Sequence, residues 1–198
     1  MKRIALHWTG GTHKASAYER EHYHELAQGD GTRVLGAKAP ESNKAPLGPD
    51  YVRHTGGMNT DTIGLAICAM GGKGVREKPL NKGPYPPTQA SIDTLCVMAA
   101  EYCTTYGIEV TPDTVFIHAE VRPRWGRGVY KWDITVLPGY DRQLSSKDAG
   151  DILRAQIKRE IDNFGTNLVQ PAAIDEPYAA PTEKPYRTWF QRIFWPNQ

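Results

Sequence analysis

Large and small apolar positions alternate at the start of the chain. In "KRIALHW", residues 2–8, Ile4, Leu6 and Trp8 share one face and Ala5 and His7 the other, the period-two pattern of a strand. Residues 14–22 predict a short helix, and "YHELAQGDGTRVLG" predicts two short extended segments joined by an Asp-Gly turn at Asp30 and Gly31. From 37 to 60 the period vanishes and Gly, Pro and Asn accumulate, which predicts a long surface loop of the length that often carries function. "TIGLAICAM", 62–70, is a nearly continuous apolar run, as in a central strand buried on both faces.

A second loop, 71–87, leads to the clearest helical pattern. Thr88 or Ser91 can cap it, Ile92, Leu95, Cys96, Ala99, Tyr102, Cys103 and Tyr106 form its stripe, and Gly107 stops it. "TVFIHAEV", 114–121, predicts a further strand with His118 near its end. Residues 145–165 predict a last amphipathic helix that opens on Ser145 and Asp148, buries Ile152, Leu153, Ile157, Ile161 and Phe164, and closes on Gly165. The pattern is that of one α/β domain over 1–165, a central mixed sheet flanked by helices.

Beyond 165 the composition changes. "QPAAIDEPYAAPTEKP" predicts an extended linker, so residues 166–198 read as a Pro-rich tail. It ends in a short amphipathic helix in which Tyr186, Trp189, Phe190, Ile193 and Phe194 make a stripe flanked by Arg187 and Arg192. Two readings of that stripe are open. It lies in a membrane interface through residues 186–195, or it docks on the domain formed by residues 1–165 or on a second subunit.

Length and charge narrow the function. A chain of 198 residues fills one core of ordinary size. Its 24 Lys and Arg against 22 Asp and Glu leave a formal charge of +2, which excludes a dedicated nucleic-acid binder. The N-terminus lacks the apolar stretch of a signal peptide, and no run of about 20 apolar residues spans a membrane, so synthesis in the cytoplasm is expected. Cys68, Cys96 and Cys103 form no CxxC pair and read as core residues.

Candidate chemistry gathers at strand ends, where α/β folds place it. One histidine at a strand end is ordinarily structural, but His7 and His118 both fall there, and "KWD" returns Lys131 and Asp133 after the loop that follows His118. Two neutral imidazoles and a carboxylate suit a catalytic zinc ion with its fourth position open to water.

Taken together, "IALHWTGG", "YHELAQGDGT", "HTGGMNTDTIGLAI", "FIHAEV" and "KWD" resemble, in order and context, the type 2 N-acetylmuramoyl-L-alanine amidases, a family that includes amidase-type phage lysozymes and peptidoglycan recognition proteins. The resemblance covers roughly residues 1–135. It implies His7, His118 and Asp133 as the zinc ligands, with Lys131 as the catalytic lysine two residues before the third ligand. It also implies Tyr23 as the tyrosine that, in the phage branch, orients or deprotonates the attacking water. Some relatives use a Glu on the central strand instead, where this chain has Ala66. "HTGGMN" corresponds to the loop lining the substrate groove, with His54 expected to bond substrate and Asn59, on the same loop, to brace it. His13, His22 and His24 are expected to be solvated or sheet-facing.

The implied reaction is hydrolysis of the amide between N-acetylmuramic acid and L-alanine by zinc-activated water, with Lys131 stabilising the developing oxyanion. The implied partner is peptidoglycan or a muropeptide, and the implied setting a phage or prophage endolysin that reaches the wall after release by a holin. A cytoplasmic amidase recycling muropeptides and a non-catalytic recognition module are the alternatives. The full His, His, Asp set favours an enzyme.

Overall fold

In the computed structural model, which describes residues 1–167, the N-terminal run forms β1 (Arg3–Trp8), the second-to-last strand of a five-stranded sheet. It pairs in parallel with β4 (Thr62–Ile67) on one side and β5 (Val115–Ile117) on the other. β2 (Glu25–Ala27) continues the sheet parallel to β4, and β3 (Arg33–Leu35) closes the edge antiparallel to β2. The order β3-β2-β4-β1-β5 is thus mixed, and the antiparallel pair is the hairpin expected around Asp30-Gly31. Gly31 takes a φ of 84°, which the turn requires of it.

The two faces of β1 are used differently. Ile4, Leu6 and Trp8 join Leu65 and Ile67 in the main core, under α2 (Gln89–Tyr106) and α4 (Ser146–Asn167). Thr88 caps α2 in a reciprocal pair with Ser91, and Gly107, at φ 62°, ends it. Leu153 and Ile157 of α4 are fully buried, while Ile152, Ile161 and Phe164 pack at the margin. Cys68, Cys96 and Cys103 are buried and unbridged, as small core residues. Among the described residues no helix is long and apolar enough to cross a membrane.

On the opposite face the small residues are Ala5 of β1 and Gly64 and Ala66 of β4. Ala5 stands level with Gly64 and Phe116, and His7 stands level with Ala66. A Cβ on Gly64 would come within 2.5 Å of the His54 ring, so the missing side chain is what lets an imidazole lie on the sheet.

Three elements differ from the sequence pattern. The strand expected over 114–121 stops at Ile117, and His118 opens α3 (His118–Trp125). The reason is Glu120, whose Oε2 accepts the Ile117 N–H at 3.0 Å, closing the first turn of the helix. Its carboxylate is held in turn by Arg154 of α4, at 2.9 and 3.0 Å. The loop 37–60 contains a 3-10 turn, Pro40–Asn43, with Asn43 fully buried. α4 runs through Gly165 to Asn167, and the tail with its aromatic stripe lies outside the described residues.

Candidate active site

His7 reaches the site because β1 ends immediately after it. The chain turns at Gly10, with φ 72°, and the Gly11 N–H donates to Thr9 Oγ1 at 3.0 Å. Gly11 has no room for a side chain, since a Cβ there would strike Glu19, the buried carboxylate that caps α1 (Ala17–His22) with Ser16. His118 comes from the first residue of α3, and Asp133 from the segment that returns after the loop.

His7 converges with His118 and Asp133, both more than a hundred positions away in sequence. One ligand atom from each of His7, His118 and Asp133 lies within 4.8 Å of the others, and all three residues are buried. Asp133 Oδ2 is 3.3 Å from His118 Nδ1 and 3.5 Å from His7 Nδ1. Donors about 2.0–2.2 Å from a tetrahedral zinc ion are separated by roughly 3.3–3.6 Å, so these spacings fit the ion. His7 Nδ1 is, in addition, a fully buried polar atom with no hydrogen-bond partner. Such an atom costs stability unless something satisfies it.

Electrostatics point the same way. Burial, above all, lowers the His7 pKa to about 4, which keeps its imidazole neutral and free to coordinate. Burial pushes the Asp133 carboxyl up, but its contacts with His118 and His7 outweigh this and hold it well below the usual carboxylate range. A neutral histidine and an ionised aspartate are the protonation states metal ligation needs.

A family model described as N-acetylmuramoyl-L-alanine amidase matches residues 1–133, which end on the third of these residues. The chain belongs to the N-acetylmuramoyl-L-alanine amidase family. Among curated proteins none matches it. Among solved structures, the chain is similar to the complex of the N-acetylmuramyl-L-alanine amidase AmiD from E. coli with the substrate anhydro-N-acetylmuramic acid-L-Ala-D-gamma-Glu-L-Lys. The likeness is at 20% identity over 63% of this chain and 51% of that one, with a TM-score of 0.44. The chain therefore spans about half the length of that structure.

Of the other candidate residues, Tyr23, Lys131 and His54 line one open cavity of about 700 Å³, together with Trp8, Arg53, His118 and Asp133 among others. The Tyr23 ring lies 5.2 Å from the His7 ring, and its hydroxyl is 3.5 Å from the Trp8 carbonyl. Burial, reinforced by the Asp133 charge, raises its pKa well above the ordinary tyrosine value. Lys131 is exposed on the rim, and its charge adds to the lowering of the His7 pKa. Ala66, where some relatives carry a glutamate, stands beside His7 in the sheet register, so no carboxylate enters the site from β4.

The two loop residues, His54 and Asn59, have different surroundings. His54 lines the cavity, but both its ring nitrogens are engaged within the protein, Nδ1 with Thr55 Oγ1 at 2.8 Å and Nε2 with the Thr62 carbonyl at 3.2 Å. Asn59 braces the loop, its Oδ1 accepting the backbone N–H groups of His54 and Thr55 at 3.2 and 2.8 Å. His24 faces the sheet, buried, with the Gly64 N–H donating to its Nδ1 at 2.9 Å. Two residues of consequence, Asn43 and Thr55, carried no sequence signal, because both lie in an aperiodic stretch with no fixed spacing to anything else.

Proposed function

We propose that the protein is a zinc-dependent N-acetylmuramoyl-L-alanine amidase that hydrolyses the bond between N-acetylmuramic acid and L-alanine in peptidoglycan. The observation that carries this reading is the buried His7, His118 and Asp133 cluster, with one ligand atom of each within 4.8 Å of the others, open to a cavity in a chain of this family. Nδ1 of His7, Nδ1 of His118 and Oδ2 of Asp133 would hold the ion. Bound zinc supplies Lewis acidity, which acidifies water and polarises a carbonyl at neutral pH.

The chain's own groups account for the rest. Tyr23, whose ring lies 5.2 Å from that of His7 on the cavity wall, offers its hydroxyl to orient or deprotonate the attacking water. Lys131 lies on the cavity rim as a cation for the oxyanion that develops on the lactyl carbonyl, a role in which preorganised charge accelerates reaction. The cavity walls exclude part of the solvent from the scissile bond, which strengthens both interactions.

Tyr23 and Lys131 together, with Ala66 in place of a strand carboxylate, are the phage-branch pattern the sequence resembles, and they support an endolysin that meets the wall after release by a holin. Incubation with a defined muropeptide and mass spectrometry of the products tests the reaction. The expected products are the lactyl sugar and a peptide with free L-alanine at its amino terminus. Tight binding of an intact muropeptide would replace this reading with a recognition module, and cleavage elsewhere in the stem would replace the bond specificity.

A further inference from the structure

Behind His7 runs a hydrogen-bonded chain that the reaction itself does not use. Its Nε2, the nitrogen turned away from Asp133, is 3.1 Å from Thr55 Oγ1, which is 2.8 Å from His54 Nδ1. The far end of His54, Nε2, is 3.2 Å from the Thr62 carbonyl oxygen. Thr55 and His54 are both buried, so no solvent competes for these groups.

The direction of every hydrogen in this chain follows from its end. A carbonyl only accepts, so His54 Nε2 must carry a hydrogen. The Asn43 amide nitrogen also lies 3.5 Å from that atom, but its two hydrogens are already given to the carbonyls of Val52 at 2.9 Å and Asn59 at 3.1 Å. Asn43 therefore has none left to reverse the order. With Nε2 protonated, neutral His54 has only a lone pair at Nδ1, and the Thr55 hydroxyl donates to it. The Thr55 oxygen then accepts from His7, which must carry its hydrogen on Nε2.

The consequence appears at the other side of the His7 ring. Nδ1 is left as a bare lone pair, buried, without a hydrogen-bond partner and turned toward Asp133 Oδ2 at 3.5 Å. A lone pair facing a carboxylate is stable only when a cation stands between them. Backbone bonds from His54 and Thr55 to Asn59 fix the loop that holds the hydroxyl in place.

We infer that Thr55 and His54 are positioning residues that set the tautomer of His7, the hydroxyl of Thr55 fixing Nδ1 as the metal-binding nitrogen. The inference rests on the reading of His7, His118 and Asp133 as a zinc site. It gives the buried loop histidine a role that needs no contact with substrate.

The test reads the tautomer and the metal separately. Long-range proton–nitrogen correlation spectra of the full-length, metal-free protein report which nitrogen of His7 carries hydrogen, and titration with zinc ion against a competing chelator reports affinity. The expected results are an Nε2–H tautomer in the wild type and a zinc affinity about 10- to 100-fold weaker in Thr55→Val, the usual size of such outer contacts. Thr55→Ser, which keeps the hydroxyl, restores the affinity. An Nδ1–H tautomer in the wild type, or wild-type zinc affinity in Thr55→Val, overturns the inference. If Thr55→Val fails to fold, the wild-type tautomer decides alone. Failure of the wild type to bind zinc defeats the metal reading beneath it, while the tautomer spectrum still reports on the hydrogen-bonded chain.

Discussion

Asp133 is the residue on which the ligand set depends most, because its charge is what balances a cation between two neutral imidazoles. Asp133→Ala is expected to abolish stoichiometric zinc and activity together while the circular dichroism spectrum stays close to wild type. Zinc retained at one equivalent would name a different third ligand. Lys131 differs in kind, since it is exposed on the rim and touches no proposed ligand atom closely enough to be bonded to it. Lys131→Met should lower kcat by roughly 10²-fold or more, the range for a lost oxyanion donor, with zinc content unchanged by metal analysis. Protonation gives a third expectation. His7 and His24 both have pKa values lowered by burial to about 4, from 6.5. The folded metal-free protein thus binds fewer protons than the unfolded chain between these values, and stability is full above 6.5 and is lost as pH falls toward 4. Each group contributes roughly 3 kcal/mol at most, and urea unfolding of the metal-free protein at several pH values measures the sum. At this scale the sequence was legible where a residue type at a strand end limits its uses, as for His7 and Asp133. It was silent on Thr55, whose role exists only because the fold brings its hydroxyl between two rings.

Among the elements, α3 shows how a misread boundary can leave the function intact. The apolar alternation of "TVFIHAEV" continues past Ile117, so nothing in the local pattern announces a helix. The signal is non-local, from Arg154 of α4 clamping the Glu120 carboxylate that caps the turn. His118 lands beside His7 under either reading, but its ring direction is set by the helix start. Gly150 makes that clamp possible, since a Cβ there would lie 2.7 Å from both Glu120 carboxylate oxygens. Arg154→Met leaves Glu120 buried without its partner and should cost about 3–5 kcal/mol by chemical denaturation. Because the cap releases His118, zinc affinity of the folded fraction should fall with it, and unchanged affinity would separate the clamp from the site. β1 and β4, by contrast, were read from pattern alone, because a strand buried on both faces has little choice of residue.

For the molecule as a whole, one sheet assigns its two faces to two tasks. The face with Leu6, Trp8 and Ile67 holds the core, and the face with Ala5, Gly64 and Ala66 stays shallow enough for imidazoles and loop 37–60 to lie against it. The α/β class and the three converging residues were visible in the sequence. The internal order of that loop was not, since a stretch without periodicity takes its shape from buried partners such as Asn43. This arrangement is proposed to make a metal-dependent amidase. Purified sacculi digested by the full-length protein, with and without chelator, test it most directly through the amino termini that appear. New L-alanine amino termini are expected that vanish with chelator and return when zinc is restored. Sacculi left unchanged, or the same termini formed at full rate in chelator, would contradict it.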